Sequence, residues 1–512
     1  MNSTKNNFIQ NFMNHQKAIF FGLLFLAFII RLLGIISRPL WYDEAFSVLF
    51  SEKGLAAMLK GTLTQTGAGS ADIHPLGYYS LLWLWMKFFG ESLVAIRVFS
   101  ILAGLGTICA IYLLTLELFS VKTAHVAAFF AALSPFQVHY SQEIRMYAFL
   151  AFWLALATYT YWRATRSKRW WWWIGFAIFA ALAQYTHNLA AFYLTALALW
   201  PLIIRDWQSL KAVVVAGILA ILFYLPWLIH LPAQFAKVDQ AYWVDKPGLY
   251  RLFTLLLYFV TNLPLPNSWL MLGLFIALLA IAIALWQTIR AARQKQADIQ
   301  PGLWMLYLTF TPPILLFLFS QWKSVYLERA LLPSGAIFCI WLAWALTETK
   351  LPRPIQLVTA VLLLTGFGMG LYEHLTYTGF PYGPYQVMTA NLKTRQQPGD
   401  VIIHSSKLSM LPSVYYDRGL AQTYVSDSPG SNVDTLAPAT QQVLGLEAKP
   451  DIASAAGNAK RVWFIIFAQS IQEYKDAGQT THPQLAWLEA HYTEVNVQRW
   501  GDLHVYLFTA AP

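Results

Sequence analysis

Apolar runs close to the length of a bilayer-spanning helix recur along the whole chain, and nothing else in the sequence limits its possible folds so strongly. They lie at 18–36, 93–116, 123–140, 145–162, 171–184, 188–204, 212–231, 268–289, 303–320, 329–347 and 355–372, against the ~20 residues a helix needs to cross hydrocarbon. Hydrophobic residues make up 57% of the chain and charged ones 12%, where a soluble domain carries about 25% charged residues. These features predict a polytopic α-helical membrane protein with about eleven spans. The runs at 171–184 and 188–204 are short, and only Gln184-Tyr185-Thr186-His187-Asn188 separates them. The first run is expected to be a retained span, because Ser37-Arg38-Pro39-Leu40 offers no small-residue cleavage site.

Charge sets the expected orientation. Lys5 and Lys17 precede the first run, Arg163, Arg166, Lys168 and Arg169 fill one loop, and Arg290, Arg293 and Lys295 fill another on the same side. The positive-inside rule makes that side cytoplasmic, as expected of a multi-pass protein of the plasma membrane. The loops around 38–92, 135–146, 231–250 and 321–328 then face outward with the C-terminal segment. The tryptophans at 170–173 read as an interfacial belt. The net charge of +10 is spread over short loops and forms no basic stripe, so nucleic acid is not an expected partner. Cys109 and Cys339 both fall within apolar runs, which excludes a disulfide framework and a cysteine metal site.

Outside the spans, the outer loop 38–92 is too long for a simple connection. Its apolar segments at 55–63 and 76–89 are shorter than a span and suit helices lying along the membrane surface, with Gly67-Ala68-Gly69-Ser70 as a flexible break between them. The segment 252–260, ahead of Asn262-Leu263-Pro264-Leu265-Pro266, has the same half-length character. From 379 onward the composition becomes ordinary. A helix near 385–395, Pro398-Gly399-Asp400, and strands at 401–403, 462–466 and 503–508 predict a soluble α/β domain over 379–512, with 426–432 as a loop. No Gly-rich phosphate loop or Cys pair occurs in it. The division expected is a membrane domain over 1–378, including the outer loop, followed by this domain.

Candidate chemistry gathers at the outer ends of the spans. Asp43 and Glu44 follow almost directly on the first run, and adjacent carboxylates point in different directions, so one of them is the working group and the other a neighbour. Asp72-Ile73-His74-Pro75 lies in the same loop, and Glu143, Arg145 and Tyr147 lie in the next one. Arg145 and Arg329 are cations at the membrane edge beside the acids Glu143 and Glu328. Such arginines are paired, snorkel to the interface or hold an anion, and the guanidinium fork matches phosphate oxygens. His74, His139, His187 and His230 could all reach the outer face, but no two have the i, i+4 spacing of metal-binding helices. No cofactor is required on this reading, and a divalent metal is the lesser alternative. A transporter or flippase of lipid-linked saccharides is a rival class, although its ionisable residues belong in mid-span, where no convincing acid is found.

Four motifs in order carry a resemblance. They are Pro39-Leu40-Trp41-Tyr42-Asp43-Glu44-Ala45-Phe46-Ser47; His74-Pro75 with Tyr78-Tyr79; Ser134-Pro135-Phe136 leading to Tyr140-Ser141-Gln142-Glu143-Ile144-Arg145-Met146-Tyr147; and Glu328-Arg329-Ala330-Leu331-Leu332-Pro333. Over about 15–375 the chain resembles the bacterial branch of the GT-C glycosyltransferases, polyprenyl-phosphate-sugar-dependent enzymes related to protein O-mannosyltransferases and lipid A aminoarabinose transferase. The resemblance implies a GT-C fold and an inverting transferase acting on the outer face. Its donor would be a polyprenyl phosphate sugar and its acceptor a hydroxyl of a glycan, lipid or protein. It matches Asp43, with Glu44 beside it, to the catalytic acid; Glu143 and Arg145, with Tyr147, to the second-loop motif; and Arg329, beside Glu328, to a cation near the donor phosphate. His74 joins these as a substrate-binding residue. Leu76 stands where the family often has a second proline, and Phe46 where the aminoarabinose enzyme has an arginine. A lipid-linked oligosaccharide ligase or polymerase would share the same acidic site.

Overall fold

The computed structural model describes residues 2–66, 69–167, 169–241, 244–349, 352–427 and 435–510. Gly67 and Ala68 of the expected break, Lys168 of the basic loop and residues 428–432 of the expected loop lie outside them. The described chain forms two compact units, one of 1–35, 97–229 and 244–376, the other of 36–96, 230–243 and 377–512.

The first unit is helical. Every one of the eleven apolar runs contains a helix, from Asn2–Leu32 at the start to Arg353–Thr376 at the end. Among the described residues seven helices are long and apolar enough to cross a membrane, and shorter apolar helices occur at Val121–Leu133, Ala190–Ile203 and Tyr250–Val260. The chain is a multi-pass membrane protein. The run at 123–140 departs from expectation, since its helix stops at Leu133 and a second one, Pro135–Gln142, follows Ser134. Proline lacks the N–H that would continue the first helix, yet suits the first position of the next.

That break leaves carbonyls without helical partners in a buried place, and Arg31 meets them. Its guanidinium donates to Ala132 O at 3.1 Å and Ala131 O at 3.2 Å, with the side chain fully buried. A cation at a helix C-terminus satisfies both the orphan acceptors and the negative end of the dipole. The short helix is held from the other side by Gln137, whose amide donates to Leu332 O at 2.9 Å. Helix Arg353–Thr376 comes very close at Gly370, where an added Cβ would lie 1.9 Å from Thr261 O and 2.7 Å from Pro135 Cγ. Only glycine fits that approach.

The second unit is built on a mixed sheet. A short hairpin pairs β1, Gln65–Thr66, with β2, Gly69–Ser70. The six-stranded sheet comprises β3 Val401–His404, β4 Gln422–Val425, β5 Ala448–Lys449, β6 Arg461–Phe467, β7 Tyr492–Trp500 and β8 Leu503–Ala510, in the order β5-β4-β3-β6-β8-β7. β3 runs parallel to β4 and β6, and the last two strands close the sheet as an antiparallel pair. Both faces are covered. Val462, Phe464 and Ile466 enter one core with Leu485 and Leu488, while Trp463, Ile465 and Phe467 enter another with Tyr385, Met388 and Leu392. A strand buried on both sides reads as a continuous apolar run, which is why 462–466 was legible in the sequence.

His404, at the end of β3, is fully buried, with Nδ1 at 3.0 Å from Ser409 Oγ and Nε2 at 2.9 Å from Gln422 Oε1. Burial pushes its pKa down to about 4, and that of His482 likewise to about 4. In the unfolded chain a histidine titrates near ~6.5. The unfolded state therefore binds more protons below that value. The stability His404 provides is complete above pH ~6.5 and is lost as pH falls towards 4, by about 3 kcal/mol. Tryptophan fluorescence of unfolding between pH 7 and 4 should show this slope, roughly halved in His404→Gln with His482 left to supply the rest; an unchanged slope would move the sensitivity elsewhere.

Candidate active site

The acidic motif is not the loop its composition suggests. Trp41 is extended, and helix Tyr42–Ser51 starts directly after it, with Asp43 and Glu44 in the first turn, where the helix dipole favours negative charge. Glu44 is 2% exposed, and its Oε2 accepts from the Trp41 N–H at a long 3.4 Å. That bond turns the Glu44 carboxylate back along its own helix. Asp43 is half-buried, and its carbonyl accepts from Ser47 Oγ at 2.9 Å. The two acids thus differ in setting, as adjacent helical residues must.

Aromatic packing fixes this helix. Phe46 and Phe50 stack at 5.1 Å and meet the edge of Tyr79, from helix Gly77–Phe89, at 6.1 and 5.7 Å. Ahead of the motif, Arg38 donates to the Tyr382 hydroxyl and lies over that ring, and the Leu40 N–H donates to the Tyr416 hydroxyl at 3.3 Å. Lys407 opens helix Lys407–Tyr416 just beyond the carboxyl end of β3. Its Nζ is 4.0 Å from Asp427 Oδ2 and 5.7 Å from the centre of the Tyr42 ring, and its side chain is 8% exposed. Nothing in the local pattern signals that a lysine so distant would stand beside the acidic motif.

In the same unit, Asp72 Oδ1 accepts from the backbone N–H groups of Ile73 and His74 and lies 2.9 Å from His74 Nδ1. Burial acts to raise the Asp72 pKa, but His74 and the two N–H groups prevail and hold it below the usual carboxylate range. The carboxylate also orients the imidazole, placing the proton of the neutral ring on Nδ1.

The other expected residues lie in the helical unit. The short helix Pro135–Gln142 ends at an extended Glu143, and helix Tyr147–Arg166 starts three residues after that. Glu143, Arg145 and Tyr147 are buried, at 6%, 3% and 0% exposed. The Tyr147 ring meets Tyr140 at 5.5 Å and His187 at 5.8 Å, and the Arg329 guanidinium lies 5.2 Å from its centre. Tyr140 is within electrostatic reach of Glu143, Tyr147, Tyr258 and Arg329 together. Tyr140, Tyr147 and Arg329 are therefore one cluster.

Glu328, on the short helix Glu328–Leu331, accepts from Arg251 Nη1 at 2.7 Å. Arg251 comes from helix Tyr250–Val260, the half-length helix expected near 252–260, and was not among the expected site residues. Burial acts to lower its pKa, but Glu328 beside it raises it further. Periodicity locates the helix that carries Arg251; nothing in it points to a partner so far along the chain. Among the histidines, His139 Nδ1 lies 3.2 Å from His374 Nδ1, and His374 Nε2 lies 2.6 Å from Gln142 Oε1. Among the described residues no three His, Cys, Asp or Glu side chains converge as a metal site.

Residues 73–230 match the family model described as dolichyl-phosphate-mannose-protein mannosyltransferase. No curated protein matches the chain by sequence. Among solved structures the chain is similar to ArnT from Cupriavidus metallidurans in the apo state, at a TM-score of 0.63 and 13% identity over 97% of this chain and 98% of that one. The same protein bound to undecaprenyl phosphate gives a TM-score of 0.62 at 13% identity, with the same coverage. The oligosaccharyltransferase of Archaeoglobus fulgidus in its apo form gives 0.54 at 15% identity, over 96% of this chain and 74% of that one. In architecture, then, this chain has the GT-C fold of the membrane glycosyltransferases.

Proposed function

We propose that the chain is an inverting glycosyltransferase that moves a sugar from a polyprenyl phosphate to an acceptor hydroxyl on the outer face of the plasma membrane. The observation that carries this reading is the placing of arginines at the span ends, with Arg329 over the Tyr147 ring and Arg251 on Glu328. Such planar, always-charged groups suit a lipid phosphate, and a structure of similar fold was solved with undecaprenyl phosphate. On this reading the half-buried Asp43 takes the acceptor proton as the hydroxyl attacks the anomeric carbon. The bond from that carbon to the phosphate oxygen breaks, the anomeric configuration inverts, and the lipid phosphate departs with its negative charge. Arg145 and Arg329, with His74, stabilise that charge; donors so placed contribute ~3–4 kcal/mol each. Glu143, Tyr147 and Glu328 hold the cations in position. On this reading the reaction requires neither a nucleotide nor a metal, with a divalent metal as the lesser alternative.

The test is label transfer by the purified chain, supplied with radiolabelled polyprenyl phosphate monosaccharides and a membrane extract as acceptor source. Transfer from a monosaccharide donor is the expected result. Transfer only from lipid-linked oligosaccharides would make the protein an oligosaccharide ligase, and translocation of the donor without transfer would make it a flippase.

Lys407 enters this reading as a positioning residue, through Tyr42. Lys407→Met removes the charge facing Asp427 and the Tyr42 ring while keeping the length of the side chain. We expect kcat to fall about tenfold, equivalent to ~1.4 kcal/mol, with the KM for donor unchanged and activity partly restored in Lys407→Arg. Equal turnover by Lys407→Met would leave the lysine a purely structural part of its unit.

A further inference from the structure

A cavity of about 310 Å³ opens at the end of the helical unit that carries the basic loops. This is towards the low end of the ~300–1,000 Å³ typical of small-ligand sites. Its walls are aromatic, with Trp162 and Trp304 stacked at 5.3 Å and Tyr161 at 5.7 Å from Trp304. Among the described residues the lining contains one cation, Arg166, whose guanidinium rests 4.4 Å above the Trp162 ring, and one anion, Asp206. Four helix ends meet here. Tyr147–Arg166 and Ala190–Ile203 finish at the cavity, and Trp207–Leu228 and Ile299–Ser320 begin there. Helix N-termini favour a negative group and C-termini a positive one. Both signs are therefore provided for, by side chains and by backbone.

A ligand with a single negative charge would satisfy Arg166 but oppose Asp206, and a simple cation would do the reverse. A phosphate joined to an ammonium satisfies both. The cavity lies where spans end, and Leu202, Ile203 and Trp207 beside it are 46%, 55% and 59% exposed, an apolar surface suited to acyl chains. We propose that this cavity binds the headgroup of a zwitterionic aminophospholipid, with the phosphate at Arg166 and the ammonium between Asp206 and the indole faces. An ammonium over an aromatic face gains from the ring quadrupole as well as from the carboxylate. The site is independent of the transferase reading, since none of its residues belongs to the outer cluster.

The test is thermal unfolding of the purified full-length chain in detergent, titrated with phosphatidylethanolamine, phosphatidylglycerol or free phosphoethanolamine. Half-saturation should need at least about tenfold less phosphatidylethanolamine than phosphatidylglycerol, and free phosphoethanolamine should have little effect. Asp206→Asn should remove that preference. Asparagine keeps the helix cap that Asp206 makes to the Ser209 N–H at 3.0 Å, so the variant tests charge rather than folding. Arg166→Gln, at an exposed position, should weaken both lipids. Equal response to the two lipids, or a preference that survives Asp206→Asn, would overturn the proposal. Stabilisation by free phosphoethanolamine as strong as by the lipid would overturn the lipid assignment.

Discussion

Asp43→Asn is expected to abolish transfer while leaving the chain folded and inserted. Asparagine has nearly the same shape and is tolerated in the first helical turn, so helix Tyr42–Ser51 should keep its start after Trp41. The loss in stability is that of one carboxylate at a helix N-terminus, ~0.3–1 kcal/mol. The loss in rate is far larger, because a general base contributes about 10²–10⁴-fold and the amide cannot take a proton at all. Glu44→Gln is the informative control. Its side-chain oxygen can still accept from the Trp41 N–H, so turnover should fall much less than in Asp43→Asn. The measurement is single-turnover transfer of label by each purified variant, with circular dichroism as the check on folding. If Asp43→Asn retains turnover and Glu44→Gln loses it, the base is Glu44, and its bond to Trp41 is broken in the working state.

Arg329→Ala is expected to weaken use of the donor by about 10²–10³-fold in kcat/KM, the effect of removing one well-placed charged donor from a site shielded from water. The guanidinium rests over Tyr147, which is itself fully buried. Its position is therefore set by packing rather than by solvent. Arg329→Lys keeps the charge but loses the fork and the stacking, and should recover only part of the loss. Tyr147→Phe keeps the ring and should stay within a few-fold of wild type. Binding of labelled polyprenyl phosphate separates the contributions. An Arg329→Ala variant that binds the lipid phosphate as tightly as wild type would move that phosphate to another cation, with Arg145 and Arg251 the next to replace.

The sequence revealed what local periodicity and charge can reveal. All eleven apolar runs hold helices, the half-length segments at Leu55–Leu63, Gly77–Phe89 and Tyr250–Val260 are helices, and three of the six strands of the main sheet lie where apolar runs of strand length predicted them. Hydropathy is blind to backbone chemistry, so it joined Val121–Leu133 to Pro135–Gln142 across a residue that cannot continue a helix. It also missed helix Tyr42–Ser51, whose entry residue is tryptophan rather than a usual capping side chain. The two-residue β5 and the polar-edged β7 carry too little alternation to be read. Among the candidate residues, Asp43 and the stretch from Glu143 to Tyr147 stand in continuous motifs, which is why the sequence singles them out. Arg251 meets Glu328, and Lys407 meets Asp427 and the Tyr42 ring, only through long-range packing within their own units, which a single sequence does not express.

The second unit is assembled from three separate stretches of chain, and this has a consequence during synthesis. Leu40 and Tyr416 hydrogen-bond across 376 residues of sequence, and Thr440 reaches Gly61 across 379. At ribosomal speeds of ~5–20 residues per second, the acidic motif leaves the ribosome roughly 20–75 s before the segment that packs against it. Throughout that interval its aromatic surface lacks its final cover. Chains interrupted before the last strands would carry the acidic motif in an incomplete unit, recognisable to membrane quality control. Trimming the molecule to its spans would not yield a smaller version of it.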